Sequence, residues 1–457
     1  MGRGGRLLAA ALLLTVTACT GGSATPAAAP PDVAGDIVVA GGRDVTGQNG
    51  IRQQLIDDWN EREQKANSGF RARLVELPGS ADEQRSQLLG ALQSGSAVYD
   101  VVNLDVTWVP EFAAAGLIRP LSREDVLDRD HIESVAETAR WGDEVYAVPF
   151  NSDVGLLYYR RDLLEAAGVQ RTDLSAGLDW GQLEDLIEAI DEHPAVGAYQ
   201  KGWTTQLAPY EGRTVNAVEA FASAAKSFHF TDADGHYDAD IDQLTAGVAE
   251  LRRRTGSPYT LQDTVHSDEA DSLSDFADGR TAFLRHWPYA YRTLHQSFDE
   301  EQLGVAPLPG RAVLGGQNLA VTEGSQRARK ATELIRYLTG PESERCLLDA
   351  GFAATRASAY TKDVRCPLDP AAPSPSTSPT GERADRMPRD DEGRPRYART
   401  ILLPALQDAV QRPRTPLYGA FTQTFTAQLG PLLGDSPPGD AELAAALDAA
   451  LKKALPD

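Results

Sequence analysis

The stretch YDVVNLDVTWVPEFAAAG, residues 99–116, decides the fold. Tyr99 to Leu104 reads as a short buried strand, and a helix follows from Trp108 to Ala115. The same unit occurs twice upstream. Asp36 to Ala40 is a strand followed by a glycine-containing loop and a helix that sets Ile51, Leu55 and Trp59 at i, i+4 and i+8. A strand at Phe70 to Leu77 and a helix at Glu83 to Gln93 repeat it. Such alternation predicts a parallel sheet with helices on both faces. Ligands of these sheets gather at the carboxyl ends of the strands, so the loops around Asp44 and Asp105 become candidate sites.

Beyond Pro149 the pattern turns more helical, with candidates at Arg161 to Gly168, Gln182 to Ile190, Val215 to Phe228, Asp242 to Arg253 and Leu273 to Ala277, which suggests a second lobe. Strand signals return at Thr281 to Leu284, Leu303 to Ala306 and Asn318 to Val321, followed by a helix from Ser325 to Leu338 and late helices at 399–411, 422–432 and 441–451. Pro373 to Thr380 is too polar and proline-rich to pack, so about 371–382 is expected as a surface insertion.

Composition narrows the function. With 457 residues, 42 % hydrophobic and 24 % charged, the chain can bury a large core in two domains. A net charge of -22 argues against nucleic acid, because phosphate recognition needs concentrated positive charge. No apolar run after the N-terminus approaches the ~20 residues that span a bilayer.

At the N-terminus, Arg3 and Arg6 precede the apolar run Leu7 to Val16, as in a secretion signal. Val16-Thr17-Ala18-Cys19 looks like a bacterial lipobox, which makes 1–18 a removable leader and Cys19 the lipid attachment point. Residues 19–35, rich in Gly, Ala, Pro and Ser, read as a flexible tether. Acyl chains contribute roughly 0.8 kcal/mol per buried CH₂ and would hold the protein on the extracytoplasmic face of the membrane. Cys346 and Cys366 are then the right number to form a disulfide in an exported protein, the alternative being two separately buried thiols. No Cys/His cluster offers a zinc site, and Asp232-Ala-Asp234-Gly235 lacks the later ligands of a calcium loop and reads as a turn.

Residues 99–121 resemble a segment of the extracellular solute-binding proteins of carbohydrate ABC transporters. Tyr146 to Arg160, Phe276 to Ala290 (FADGRTAFLRHWPYA) and Leu314 to Val321 (LGGQNLAV) are similar to further elements of that family, in its order. The closest resemblance is to the trehalose/maltose-type sugar-binding lipoproteins. The resemblance implies an α/β, two-lobed periplasmic-binding-protein-like fold of type II that closes by a hinge. Mapped onto this chain, lobe 1 is 36–148 plus 303–341 and lobe 2 is 149–302 plus 342–457. It also implies a monomeric receptor with no cofactor, which hands a carbohydrate to the permease subunits of an ABC importer.

A sugar ring offers hydroxyls on its rim and C–H groups on its face, so it needs acceptors for the rim and an aromatic plate for the face. Trp287 is the expected plate, with Tyr289 beside it; the other reading of Trp287 is an ordinary core aromatic. Asp105 matches a ligand-contacting acid, or else caps the helix that follows it. Asn151 and Asp153 face the cleft in similar proteins, and equally could organise the hinge loop. Glu269 stands where relatives carry a ligand acid, although the surrounding DEAD run reads as a solvated helix start. Gly316 permits close approach of backbone to ligand. Gln317 replaces a tryptophan common in relatives, removing a stacking surface and adding hydrogen-bonding capacity. Arg85 and Arg412 offer guanidinium forks, with surface charge the alternative for each, and Asp44 is a weaker candidate.

Two other functions use the same residues. Asp105 and Asp153 could be the carboxylate pair of a glycosidase, and the fold also serves sugar-sensing lipoproteins coupled to signalling receptors. No GxSxG, Walker loop or HExxH sequence supports nucleophilic, nucleotide-driven or zinc chemistry.

Overall fold

The computed structural model describes residues 31–43, 50–95, 97–193, 197–256, 258–368 and 385–455. The expected leader, Cys19, Asp44 and the low-complexity insertion lie outside them.

Eleven strands occur among the described residues: β1 (Gly35–Gly42), β2 (Phe70–Leu77), β3 (Val101–Asp105), β4 (Arg140–Trp141), β5 (Glu144–Val145), β6 (Val148–Val154), β7 (Leu156–Arg160), β8 (Lys201–Thr204), β9 (Thr281–His286), β10 (Leu303–Pro307) and β11 (Leu314–Val321). They form two main sheets, ordered β2-β1-β3-β11-β6 and β10-β7-β9-β8, one for each lobe. β1 runs parallel to β2 and β3, as the alternating pattern predicts. β11 is antiparallel to both β3 and β6, so the sheet is mixed rather than wholly parallel. A strand that returns from the other lobe carries no local signal of its direction.

The chain crosses between lobes at β6 to β7, through Gly155, and at β10 to β11. These crossings shift the expected lobe boundaries. β6 belongs to the first sheet, while β10 pairs with β7 in the second rather than with lobe 1. The helix Pro341–Asp349, expected in lobe 2, packs with lobe 1: Cys346 and Leu347 share a core with Ile37, Val39, Ile51, Leu55 and Leu319. Cys346 and Cys366 are joined by a disulfide. The tether ends earlier than the composition suggests. Asp32 accepts from the backbone N–H of Lys330 at 2.8 Å and so caps the helix Ala328–Leu338.

Helix starts follow from capping chemistry. Ser80 and Glu83 form a capping box at Ala81–Gln93, Asp179 and Gln182 one at Trp180–Glu192, and Asp268 and Asp271 one at Glu269–Ala277. In the second lobe the helices Glu211–Ala224, Ile241–Arg254, Tyr418–Leu429 and Asp440–Ala454 bury Phe221, Phe421 and Phe425 among Val248, Leu447 and Leu451. No described helix is long and apolar enough to cross a membrane.

Candidate functional site

Strand register brings the floor of the site together. Gln317 of β11 lies opposite Asp105 of β3 on one side and Asn151 of β6 on the other. Residues far apart in sequence thus form one polar row at the mouth of the first sheet. Arg52, from the first turn of the helix Ile51–Lys65, donates through Nη2 to Asn151 Oδ1 and to Gln317 Oε1, both at 3.0 Å. Asn103 also donates to Gln317 Oε1, so the Gln317 carbonyl is committed to protein donors and its NH₂ remains the group to meet a ligand. Phe150 and Phe352 flank the Arg52 guanidinium at 5.8 and 5.4 Å.

The facing wall comes from the second lobe. Trp287 follows β9 directly, and the Arg285 guanidinium lies 3.9 Å from its ring centroid. Arg285 is held in turn by Glu219 at 2.7 Å, a pair sealed beneath the ring. The indole Nε1 points at Glu269 Oε1, 3.4 Å away, and the Tyr210 hydroxyl donates to Glu269 Oε2 at 2.6 Å. These contacts fix the plane of the ring, and Trp287 stays partly exposed.

The glycine pair has two separate reasons to exist. A Cβ on Gly315 would lie 3.1 Å from the Trp287 ring, and one on Gly316, at φ +101°, would lie 2.4 Å from the Asn151 carbonyl. The first leaves room for the indole and the second lets β11 pass β6. Close packing inside the protein, rather than ligand approach alone, demands glycine here.

Arg412 bridges the lobes. It is 3 % exposed, and its Nη2 donates to both Asp105 oxygens at 2.9 and 3.1 Å while Nη1 donates to Glu211. Asp105 Oδ1 also accepts from the Thr107 N–H and hydroxyl at 2.9 and 2.7 Å. Asp105 thus organises the turn after β3, ahead of the helix Val109–Ala114 rather than at its N-cap, and also lines the cavity. Glu211 accepts from the Tyr418 and Thr422 hydroxyls. Its backbone N–H donates to Asp82 of the other lobe at 3.2 Å.

Between the walls lies a cleft of about 990 Å³. That is at the upper end of the ~300–1,000 Å³ typical of small-molecule sites and is ample for two sugar rings. Trp287, Tyr289, Asp105, Asn151, Asp153, Gly316, Gln317, Glu269 and Arg412 all line it. Arg85 does not: its guanidinium grips Glu111 and packs against the helix Tyr418–Leu429, so it is a structural ion pair. Asp44 falls outside the described residues. Sequence reasoning missed Arg52, Tyr210 and Glu211. Arg52 did leave a signal, because a cation in the first turn of a helix opposes the helix dipole. A second cavity of about 400 Å³ shares only Arg412 with these residues.

Asp153 is the electrostatic outlier of the cleft. Burial pushes its carboxyl up to about 7, Arg52 pulls it down, and Asp105 pushes it further up. The residue retains some exposed surface, yet Oδ1 is sealed and has no hydrogen-bond partner among the described residues. At Asp232 the carboxylate accepts the N–H groups of Asp234 and His236 at 3.0 and 2.9 Å, closing the expected turn.

A family model described as bacterial extracellular solute-binding protein matches residues 55–373. A probable ABC transporter-binding protein of Deinococcus radiodurans is 27 % identical over 312 residues, covering 65 % of this chain and 72 % of that protein. Maltose-bound MalE3 of T. maritima has the same fold, with a TM-score of 0.72 at 22 % identity over 92 % of this chain and 100 % of that one. The GacH receptor of Streptomyces glaucescens, solved unliganded and with acarbose, gives 0.70 at 20 % identity over 93 % and 100 %.

Proposed function

Because this chain belongs to the bacterial extracellular solute-binding proteins, we propose that it is the lipid-anchored receptor of an ABC importer and takes an oligosaccharide, a disaccharide in the first instance. One observation carries the reading: a half-buried indole in one lobe faces a register-aligned row of carboxylate and amide groups in the other, across a cleft sized for two sugar rings. The plate takes the C–H face of a ring by apolar contact and the row accepts its hydroxyl protons. Maltose and acarbose, each held by a protein of this fold, are ligands of this kind.

In this reading binding energy does no chemistry. It shifts a population of lobe orientations toward the closed form that the permease recognises. The lipobox at Cys19 supports the anchor, which keeps the receptor near its permease on the extracytoplasmic face.

A thermal-shift screen of the mature chain against a saccharide library tests the reading. A ligand at 100 times its Kd adds about 2.7 kcal/mol by mass action. At roughly 2.1 cal/mol/K per residue, the melting entropy of a chain this size is about 0.9 kcal/mol/K, so the midpoint should rise by about 3 °C. If amino acids or peptides raise it and no saccharide does, the reading is wrong.

A further inference from the structure

The charges lining the cleft are unbalanced. Among the described residues Arg43, Arg52 and Arg412 face six carboxylates, of Glu83, Asp105, Asp153, Glu211, Asp268 and Glu269. Asp105 and Glu211 share the single positive charge of Arg412. Asp153 and Glu269 pair with no described cation within ion-pair distance. Arg285, the other guanidinium nearby, is committed to Glu219.

These two acids flank the indole, and Arg52 and Arg285 draw on Asp153 only from beyond ion-pair distance. A Cβ at Gly315 would lie 3.2 Å from Asp153 Cβ and 3.1 Å from the Trp287 ring, so both crowd one point of β11. Glu269 sits at the indole Nε1. Among the described residues the Glu269 carboxylate receives two neutral donors, from Tyr210 and Trp287, and the Asp153 carboxylate receives none; with Asp153 Oδ1 sealed, Oδ2 is the oxygen a ligand would meet. A neutral hydroxyl could satisfy a lone pair here and leave the charge. A cation would satisfy both, through charge-assisted hydrogen bonds of about twice the neutral strength.

We propose that the cleft selects a saccharide carrying a basic amine, an amino sugar whose ammonium lies between Asp153 and Glu269 beside the Trp287 ring. The inference rests on the saccharide reading given above. It also accounts for Asp153, whose carboxyl burial holds near neutrality while no ligand is bound. An arriving ammonium favours the ionised form, so binding below pH 7 releases a proton.

Calorimetric titration of the mature chain with matched pairs that exchange an amine for a hydroxyl tests this. The pairs are the β-1,4-linked glucosamine dimer with cellobiose, and galactosamine with galactose. The amine member should bind at least tenfold more tightly at pH 6.5. Its apparent enthalpy should vary with the ionisation enthalpy of the buffer, reporting the released proton. Asp153→Asn should bring the two members within about twofold and abolish the buffer dependence, while its midpoint of unfolding shows that it folds. Equal or tighter binding of the hydroxyl member overturns the inference, as does a neutral sugar from the screen that outbinds both amines tenfold. Either result leaves the saccharide reading standing, whereas the absence of any saccharide ligand removes both.

Discussion

Replacing Arg412 by Met removes the clasp between the lobes and keeps most of the side-chain volume. Loss of one partner from a buried ion pair typically costs about 3–5 kcal/mol, because the remaining charge is left uncompensated. Here the cost falls at the lower end. Asp105 has a side chain 20 % exposed and keeps both donors of Thr107, and Glu211 keeps the hydroxyls of Tyr418 and Thr422. About 3 kcal/mol corresponds to a fall of about 3 °C in the unfolding midpoint on the entropy scale used above. The lobes should also separate in the absence of ligand, increasing the radius of gyration in small-angle scattering. Adding Glu211→Gln to the variant removes one stranded charge and should recover about half of the loss. The penalty should shrink as pH falls, because Glu211, already pushed up by burial, loses the cation that opposed the shift and takes up a proton more readily. A midpoint within 1 °C of the parent, with scattering unchanged, would refute the clasp.

Gly155→Ala places a Cβ 2.3 Å from Glu219 Oε1 and 3.1 Å from Arg285 Nη2, so overpacking should cost about 1–3 kcal/mol and weaken sugar binding by tilting the support of Trp287; unchanged melting and affinity would contradict this. The Cys346–Cys366 bridge closes a span of 20 residues, so Cys366→Ser should lower stability by about 3 kcal/mol, and an unchanged midpoint would show that the bridge constrains nothing. Asp153 and Glu344 have carboxyls raised to about 7 and about 8, while His286 and His295 are lowered to about 4 from 6.5. A raised carboxyl makes the folded state bind more protons, so its contribution is lost as pH rises through the folded value. A lowered His acts oppositely, but only below about 6.5. The two effects oppose each other at pH 5–6, and between pH 6.5 and 8 stability should fall. Asp153→Asn should flatten that fall in denaturation curves measured across the range, and an undiminished slope would remove Asp153 as its cause.

Much of the fold was legible because β1, β2 and β3 alternate with helices, of which Ala81–Gln93 also carries its own capping box. The course of β10 was not, since its antiparallel pairing with β7 depends on a strand more than a hundred residues away and leaves no mark on its own five residues. The cleft was legible where chemistry and position coincide, at Trp287 after β9 and at Asp105 ending β3. Arg85 and Arg412 looked alike in sequence. Their fates differ because Glu111 lies within reach of Arg85 in the same lobe, whereas Arg412 meets Asp105 and Glu211 from opposite lobes. Arg52 was overlooked because the apolar period of its helix drew attention to Ile51, Leu55 and Trp59, while the guanidinium turned the other way into the cleft.

The most direct test of the account is the affinity of Trp287→Ala for whichever saccharide stabilises the parent chain. Loss of a central stacking residue should cost at least about 2 kcal/mol, a rise in Kd of roughly 30-fold or more. The unliganded protein should melt within about 2 °C of the parent, because the ring is partly exposed and Arg285 keeps its Glu219 partner. Undiminished binding, or a protein that no longer folds, would contradict the claim that this indole is the plate on which the sugar rests.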